Sequence, residues 1–233
     1  MLPRDRLIVA LDVPDLEASK KLIEGLGDAV GVYKIGLELL FSGGLQLAQE
    51  LAQRGRRVFV DAKLLDIEAT VERATAAIAR LGVEFLTVHA LDQKTLAAAV
   101  RGRGDGALKL LGITVLTNLT GADLVEQCCD HPLGEVVLHR AKLAKEAGFD
   151  GVVASGHEAA AIRKACGPDF LIVTPGVRPQ GSDAQDQARV MTPAMAIRAG
   201  ASCLVVGRPI TRADDPRAAA EAIVAEIEAA LAG

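Results

Sequence analysis

Two aspartates and a lysine stand close together in segment 58–67, which reads VFVDAKLLDI. Side chains alternate along a β-strand, so Asp61 and Lys63 point to the same face of it. Lys34 lies in another short apolar run, and Asp66 follows three residues after Lys63. Pairing between carboxylates and ammonium groups offsets the energetic cost of burying their charges and holds each side chain in place. Such an array can present a cation to an anion that develops during a reaction.

Two glycine–arginine loops later in the chain predict a phosphate site. One contains Gly176 and Arg178, and the other contains Gly207 and Arg208. Each glycine permits close approach of the backbone to a ligand, and each arginine supplies charge and bidentate hydrogen bonds. The polar, glutamine-containing stretch 179–189 is typical of a lid loop that folds over a ligand.

The apolar pattern indicates the scaffold that positions these residues. Short β-branched runs alternate with longer segments of helical period. The predicted strands are 7–12, 32–36, 58–63, 85–89, 110–115, 151–154, 171–174 and 203–206. The predicted helices lie near 15–26, 43–54, 68–81, 93–101, 134–147, 157–165, 192–199 and 216–231. Asp15 and Asp215 precede the first and last helices, where a carboxylate can cap the amino terminus.

Eight strand–helix units in a chain of 233 residues predict a (β/α)8 TIM barrel that spans residues 1–233 as a single domain. A doubly wound open sheet is the alternative, although the turn after the first strand lacks the glycine pattern of a dinucleotide site. Active sites of such barrels lie at the carboxyl ends of the strands. Polar residues stand at or near five predicted strand ends: Asp12, Lys34, Asp61, His89 and Thr117. One of them alone is equally typical of a salt bridge at the barrel mouth, but the set predicts an active site.

The composition argues against several classes of protein. Half of the residues are hydrophobic and the formal net charge is −4, which excludes a disordered chain. Mixed charges and 3% aromatic residues argue against nucleic-acid binding, and the longest uncharged stretch, 110–122, is too short to span a membrane. The four cysteines form no CxxC pair, so we expect reduced thiols, no metal site and no disulfide framework. With no signal peptide in the sequence, a soluble cytoplasmic protein is expected.

The motifs resemble those of the orotidine 5′-phosphate decarboxylase family, and the resemblance extends over nearly the whole chain. Its central part is the signature Asp61-x-Lys63-x-x-Asp66-Ile67, which a wider group of phosphate-binding barrels shares. Lys34 and the two arginine loops narrow the match to the decarboxylase. The other matching segments are Ala10-Leu11-Asp12, Tyr33-Lys34-Ile35-Gly36, Thr87-Val88-His89-Ala90, 174–179 and 206–210.

This resemblance implies a cofactor-free enzyme that converts orotidine 5′-monophosphate to UMP, as a homodimer with active sites at the subunit interface. It implies a catalytic tetrad of Lys34, Asp61, Lys63 and Asp66, in which Lys63 donates the proton and Asp66 reaches the partner's site. Asp12 and Lys34 resemble ribose contacts, and Thr117 resembles a pyrimidine contact. The other implied substrate-binding residues are Ile67, Thr70, which acts in the partner's site, Arg178, Gln187, Gly207 and Arg208.

The chain departs from the common bacterial pattern at Leu65, Glu68 and Ala69, where His, Pro and Asn often stand. These differences concern the packing of one loop and leave the four charged positions intact. A magnesium-dependent decarboxylase or aldolase of keto-sugar phosphates, from the same barrel group, is an alternative, although it typically carries a carboxylate at the place of Lys34. A barrel that only binds a phosphorylated ligand is a second alternative, which the complete tetrad argues against.

Overall fold

Eight parallel strands form a closed barrel in the computed structural model, which describes residues 1–179 and 191–232. Each strand pairs with its neighbours in chain order, and β1 pairs with β8 through Ile8 and Val205 to close the sheet. The predicted TIM barrel is therefore confirmed, and the open-sheet alternative is wrong. The strands are β1 Leu7–Ala10, β2 Val32–Ile35, β3 Arg57–Leu64, β4 Phe85–His89, β5 Lys109–Ile113, β6 Gly151–Val153, β7 Leu171–Thr174 and β8 Cys203–Val206.

Helices surround the barrel. They are α1 Leu16–Leu26, α2 Leu37–Leu39, α3 Leu45–Gln53, α4 Glu68–Ala79, α5 Gln93–Arg103, α6 Gly121–Glu126, α7 Leu133–Glu146, α8 Gly156–Cys166, α9 Pro193–Arg198, α10 Arg208–Thr211 and α11 Pro216–Ala232. Both predicted caps are confirmed, since Asp15 accepts a hydrogen bond from the Ala18 amide and Asp215 accepts one from the Ala218 amide.

Several short elements differ from the sequence prediction. The pattern did not indicate the 3-10 turn Pro3–Arg6, α2, the π-helical segment Leu40–Gly44, α6 or α10. Each of these elements is too short to show a full helical period, which explains why they were missed. Helix α3 begins at Leu45, after Gly43 takes a φ of 93° that a side chain rarely permits.

The barrel interior is packed with apolar side chains from alternate strand positions. Ile8, Val32, Phe59, Phe85 and Leu111 belong to this inner cluster. The rings of Phe59 and Phe85 lie edge to face, with centroids 5.9 Å apart. The other face of the strands packs against the helices, so both faces are buried and the strands need almost no polar residues. The same alternation places the residues that follow the inner cluster at the barrel mouth.

Ion pairs close the amino-terminal end of the barrel. The Arg57 guanidinium donates to Glu84 Oε1 at 3.0 Å, and Lys109 Nζ donates to the same oxygen at 2.9 Å. Asp5 lies 3.4 Å from Arg57 on the other side. The charged side chains at this end are therefore paired with one another.

All four cysteines are free thiols, and two of them, Cys166 and Cys203, are buried. Within the described ranges, the chain contains no helix that is both long and apolar enough to cross a membrane.

Candidate active site

A cavity of about 430 Å³ opens at the carboxyl-terminal end of the barrel. This volume is within the usual range for sites that bind small molecules. The apolar part of its lining includes Ala10, Phe59, Ile113 and Val205. Eight of the predicted site residues line it: Asp12, Lys34, Asp61, Lys63, Thr117, Arg178, Gly207 and Arg208.

Three strand ends supply a cluster of opposite charges to this cavity. Lys34 Nζ lies 3.3 Å from Asp12 Oδ1 and 3.4 Å from Asp61 Oδ2. Lys63 Nζ lies 2.7 Å from the same Asp61 oxygen. Lys34 and Asp61 are buried, with 8% and 7% of their surface exposed, whereas Lys63 is half-buried. One buried carboxylate thus holds two ammonium groups at the floor of the cavity.

Local backbone geometry at the end of β3 brings Asp61 and Lys63 into this arrangement. The pairing of β3 with β4 shifts between Val60 and Leu64, so β3 bulges where it faces Thr87. Lys63 takes a φ of 49° within this bulge, a left-handed conformation that is unusual for a residue with a side chain. The Thr87 hydroxyl donates to Asp61 Oδ1 at 2.9 Å and accepts from the Lys63 amide at 2.9 Å.

The charge state of Asp61 follows from these neighbours. Burial by itself raises the pKa of the Asp61 carboxyl, but the positive charges of Lys34 and Lys63 and the hydrogen bonds from Lys63 and Thr87 outweigh it. The pKa of Asp61 therefore lies below its ordinary value, and the group is an anion at neutral pH. The charge of Asp61 thus attracts the two lysine side chains that lie within 3.4 Å of it.

The arginine loops supply another part of the cavity lining. Arg178 is buried, its guanidinium donates to the Val177 carbonyl at 3.0 Å, and its amide donates to the Met191 carbonyl at 3.0 Å. Gly176 has a φ of 74°, which glycine adopts without strain. Gly207 and Arg208 lie at the start of α10, so the short helix follows directly after β8. The two predicted phosphate loops therefore face one cavity.

Three predicted site residues do not line the cavity of their own chain. Asp66 and Ile67 are exposed, Ile67 to 72%, and Thr70 is partly exposed at the start of α4. The Asp66 carboxylate accepts a hydrogen bond from the Ile67 amide at 2.6 Å. Leu65, Glu68 and Ala69, where the chain departs from the family pattern, are exposed on the same loop and first turn. Gln187 and all of the predicted lid except Pro179 lie outside the described residues.

His89 ends β4 beside this cluster without lining the cavity. Burial, followed by the positive charges of Lys63 and Arg140, lowers the pKa of His89, and Asp61 partly opposes the shift. The imidazole is therefore held neutral at neutral pH.

Sequence reasoning missed several residues of the site. Glu38, Asn118 and Arg212 line the cavity. They were missed because Glu38 lies in the short helix α2, Asn118 lies in the loop after β5 and Arg212 directly follows the short helix α10, and the sequence pattern indicates the conformation of none of these segments. Thr87 was also missed; it does not line the cavity but forms hydrogen bonds with Asp61 and Lys63, and the sequence carries a signal for it. It shares the inward face of β4 with Phe85 and His89, where a polar side chain is unusual.

A metal centre was not predicted. Over residues 1–179 and 191–232, no three or more His, Cys, Asp or Glu side chains come together in a way that could hold a metal ion.

Comparison with known families and relatives adds to this geometry. Residues 5–223 match the family described as orotidine 5′-phosphate decarboxylase / HUMPS. A protein of Methylorubrum extorquens (strain PA1) is 54% identical over 226 residues, which cover 97% of each chain. One of Rhodopseudomonas palustris (strain BisB5) is 54% identical over 224 residues, covering 96% of this chain and 95% of the relative. Both are named orotidine 5′-phosphate decarboxylase.

Two solved structures are similar to this chain over nearly its whole length. A crystal structure of orotidine 5′-phosphate decarboxylase from Lactobacillus acidophilus has a TM-score of 0.84 and 41% identity, covering 95% of this chain and 98% of that one. An uncharacterized conserved protein from Geobacillus kaustophilus has a TM-score of 0.81 and 33% identity, covering 95% of this chain and 99% of that one.

Proposed function

The chain belongs to the orotidine 5′-phosphate decarboxylase family, a family of carboxy-lyases, and on that premise we propose that it converts orotidine 5′-monophosphate to UMP in pyrimidine biosynthesis. In this proposal no cofactor takes part and Lys63 protonates carbon 6 of the pyrimidine. The observation that carries the proposal is the buried Asp61 carboxylate, which holds Lys34 and Lys63 at the floor of the cavity.

The chemistry requires a cation close to the reacting carbon. When the bond between carbon 6 and the carboxylate breaks, its electron pair stays on carbon 6 and CO2 leaves. No adjacent group of the ring accepts this charge, so stabilisation must be electrostatic. The Lys63 ammonium is fixed at the cavity floor by its 2.7 Å contact with Asp61, and it needs little reorganisation to meet the developing carbanion.

Proton transfer then completes the reaction. A proton moves from Lys63 Nζ to carbon 6, the new C–H bond gives UMP, and the neutral amine regains a proton from water. Lys34 and Asp61 remain a charged pair during this step, because Lys34 Nζ lies 3.4 Å from Asp61 Oδ2. Asp61 and Lys34 thus act as electrostatic partners, and Lys63 acts as the acid.

The substrate phosphate and ribose are assigned to the remaining polar residues of the cavity. Arg178, Gly207 and Arg208, with Gln187, hold the phosphate, and Asp12 and Lys34 hold the ribose. The position of both arginine loops in the lining of the cavity supports this assignment. Thr117, on the cavity wall, contacts the pyrimidine. Binding energy gained at the phosphate, far from carbon 6, can be used to close and desolvate the site.

Two copies of the chain are needed to complete each site in this proposal. Asp66, Ile67 and Thr70 do not line the cavity of their own chain, and two exposed apolar side chains, Leu65 and Ile67, stand close together on this loop. A contiguous exposed apolar surface is typical of an interface. We infer a homodimer in which these three residues enter the partner's site. Leu65, 51% exposed on the same loop, supports an apolar contact there.

The remaining expectations belong to the same proposal. The chain functions as one catalytic domain over residues 1–233, and it needs neither a metal nor nucleic acid. A cytoplasmic location agrees with four free thiols, because reduced cysteines are the rule in that compartment.

The test is the absorbance change of orotidine 5′-monophosphate with purified protein, with and without EDTA. Formation of UMP at the same rate in both samples is expected. Absence of conversion, together with magnesium-dependent turnover of a keto-sugar phosphate, would replace the proposal with the other activity of this barrel group.

A further inference from the structure

Thr87 is a fully buried polar side chain inside an apolar barrel. It lies in the middle of β4, and 0% of its surface is exposed. Its inward neighbours on the same strand are Phe85, which belongs to the inner apolar cluster, and His89. A valine would fill the same space without a hydroxyl, so the presence of threonine points to a use for its oxygen.

The hydroxyl of Thr87 acts both as a donor and as an acceptor, and both of its hydrogen bonds are to residues of the charged cluster, Asp61 and Lys63. Its hydrogen is donated to Asp61 Oδ1 at 2.9 Å, and its oxygen accepts from the Lys63 amide at 2.9 Å. The other carboxylate oxygen, Oδ2, contacts Lys63 and Lys34. Thr87 therefore fixes the rotation of the Asp61 carboxylate, because it binds Oδ1, the carboxylate oxygen that neither lysine contacts.

The amide contact has a second consequence. The bulge in β3 removes residues 61–63 from regular pairing with β4, which leaves backbone groups in need of other partners. Lys63 has its φ of 49° at this point, a conformation that carries strain unless its surroundings hold it. The Lys63 amide donates its hydrogen bond to the Thr87 hydroxyl and not to a backbone carbonyl of the neighbouring strand. The same oxygen thus stabilises the backbone from which the Lys63 side chain starts.

We propose that Thr87 is a positioning residue of the active site, which holds Asp61 and the backbone of Lys63 so that the Lys63 ammonium faces the substrate. It does not touch the substrate, since it does not line the cavity. Its catalytic consequence rests on the proposed function, in which Lys63 is the proton donor.

The experiment compares Thr87→Val, which keeps the shape but removes the hydroxyl, with Thr87→Ser, which keeps the hydroxyl. Thr75→Val is the matched control, because Thr75 is equally buried in α4 and its hydroxyl has no hydrogen-bond partner among the described residues. For each protein, kcat and KM for orotidine 5′-monophosphate and the thermal midpoint are measured. Exchange of the Lys63 amide hydrogen is followed by NMR.

In Thr87→Val, kcat falls about 10- to 100-fold, the range for losing one hydrogen bond to a charged group, while KM changes little. Thr87→Ser retains most of kcat, and Thr75→Val retains all of it. The Lys63 amide exchanges faster in Thr87→Val and stays protected in Thr87→Ser.

A kcat for Thr87→Val equal to that of Thr75→Val would overturn the proposal. So would equal loss in the serine and valine variants, which would indicate packing alone. An inactive wild-type protein would contradict the proposed function instead. In that event the amide exchange decides the positioning role, and unchanged protection in Thr87→Val would refute it.

Discussion

Lys63 Nζ and Asp61 Oδ2 lie 2.7 Å apart at the end of β3, although the two residues are successive inward positions of one strand. The bulge opposite β4 and the left-handed backbone at Lys63 accompany this contact. The result is an ammonium group whose counter-ion is buried and whose other side faces a cavity. A cation held in this way can meet an anion that forms in the cavity.

Gly36 controls the space around the Lys34 ammonium. A Cβ at this position would lie 3.0 Å from Lys34 Nζ and 3.2 Å from Asp12 Oδ1, which is closer than such atoms usually approach. The backbone of Gly36 itself, with a φ of −92°, is compatible with any residue. Gly36→Ala should therefore fold normally but displace Lys34, and we expect kcat/KM to fall roughly 10- to 100-fold. Steady-state kinetics and thermal unfolding measure the two effects.

Gly134→Ala is the control for this variant, because nothing lies within 4 Å of a Cβ at that position in α7. It should leave kcat/KM unchanged. Equal kinetics of Gly36→Ala and Gly134→Ala would show that Lys34 tolerates the displacement.

His89 should make stability depend on pH. Its pKa in the folded protein is below the ordinary 6.5, because of burial and the nearby Lys63 and Arg140 charges. The unfolded chain therefore binds a proton at a pH where the folded chain does not, and stability falls as pH drops below about 6.5. One such group contributes a slope of at most about 1.4 kcal/mol per pH unit, until the folded pKa is reached.

Urea unfolding between about pH 5 and pH 8 measures this slope. The free energy of unfolding should fall less steeply with acid in His89→Gln than in the wild type. His157→Gln, at an exposed site, controls for removal of a histidine. Identical slopes for the wild type and His89→Gln would show that His89 is not the group responsible.

Hybrid dimers test whether Asp66 acts in the partner's site. Lys63→Ala and Asp66→Ala should each be nearly inactive as homodimers. A purified dimer with one chain of each kind contains one site with both residues intact, so it should regain about half of the wild-type activity. Two different affinity tags permit its isolation.

The matched control is a hybrid of Lys63→Ala with Asp61→Asn. Both residues serve the same chain's site, so each site of this hybrid carries one defect and activity should stay absent. Recovery in neither hybrid, or in both, would contradict the sharing of Asp66 between subunits.

Much of this architecture followed from the sequence. Strict alternation along β3 placed Asp61 and Lys63 on one face, and the polar ends of successive apolar runs indicated the barrel mouth. The strand order was predictable because short parallel units connect to neighbours in chain order.

Other parts of the site depend on tertiary contacts that the pattern does not contain. The bulge in β3 arises from its register with β4, so neither the φ of Lys63 nor the role of Thr87 could be predicted from either strand alone. Glu38 and Arg212 line the cavity through short elements, α2 and the end of α10, that show no full period.

The most direct measurement of the central claim is turnover of orotidine 5′-monophosphate by Lys63→Ala, with EDTA present. Lys21→Ala serves as control, since its ammonium is exposed on α1 and pairs only with the exposed Glu17 among the described residues. If Lys63 is the proton donor, turnover disappears in Lys63→Ala, the thermal midpoint stays close to that of the wild type, and Lys21→Ala is fully active. Turnover at the wild-type rate in Lys63→Ala would contradict the mechanism.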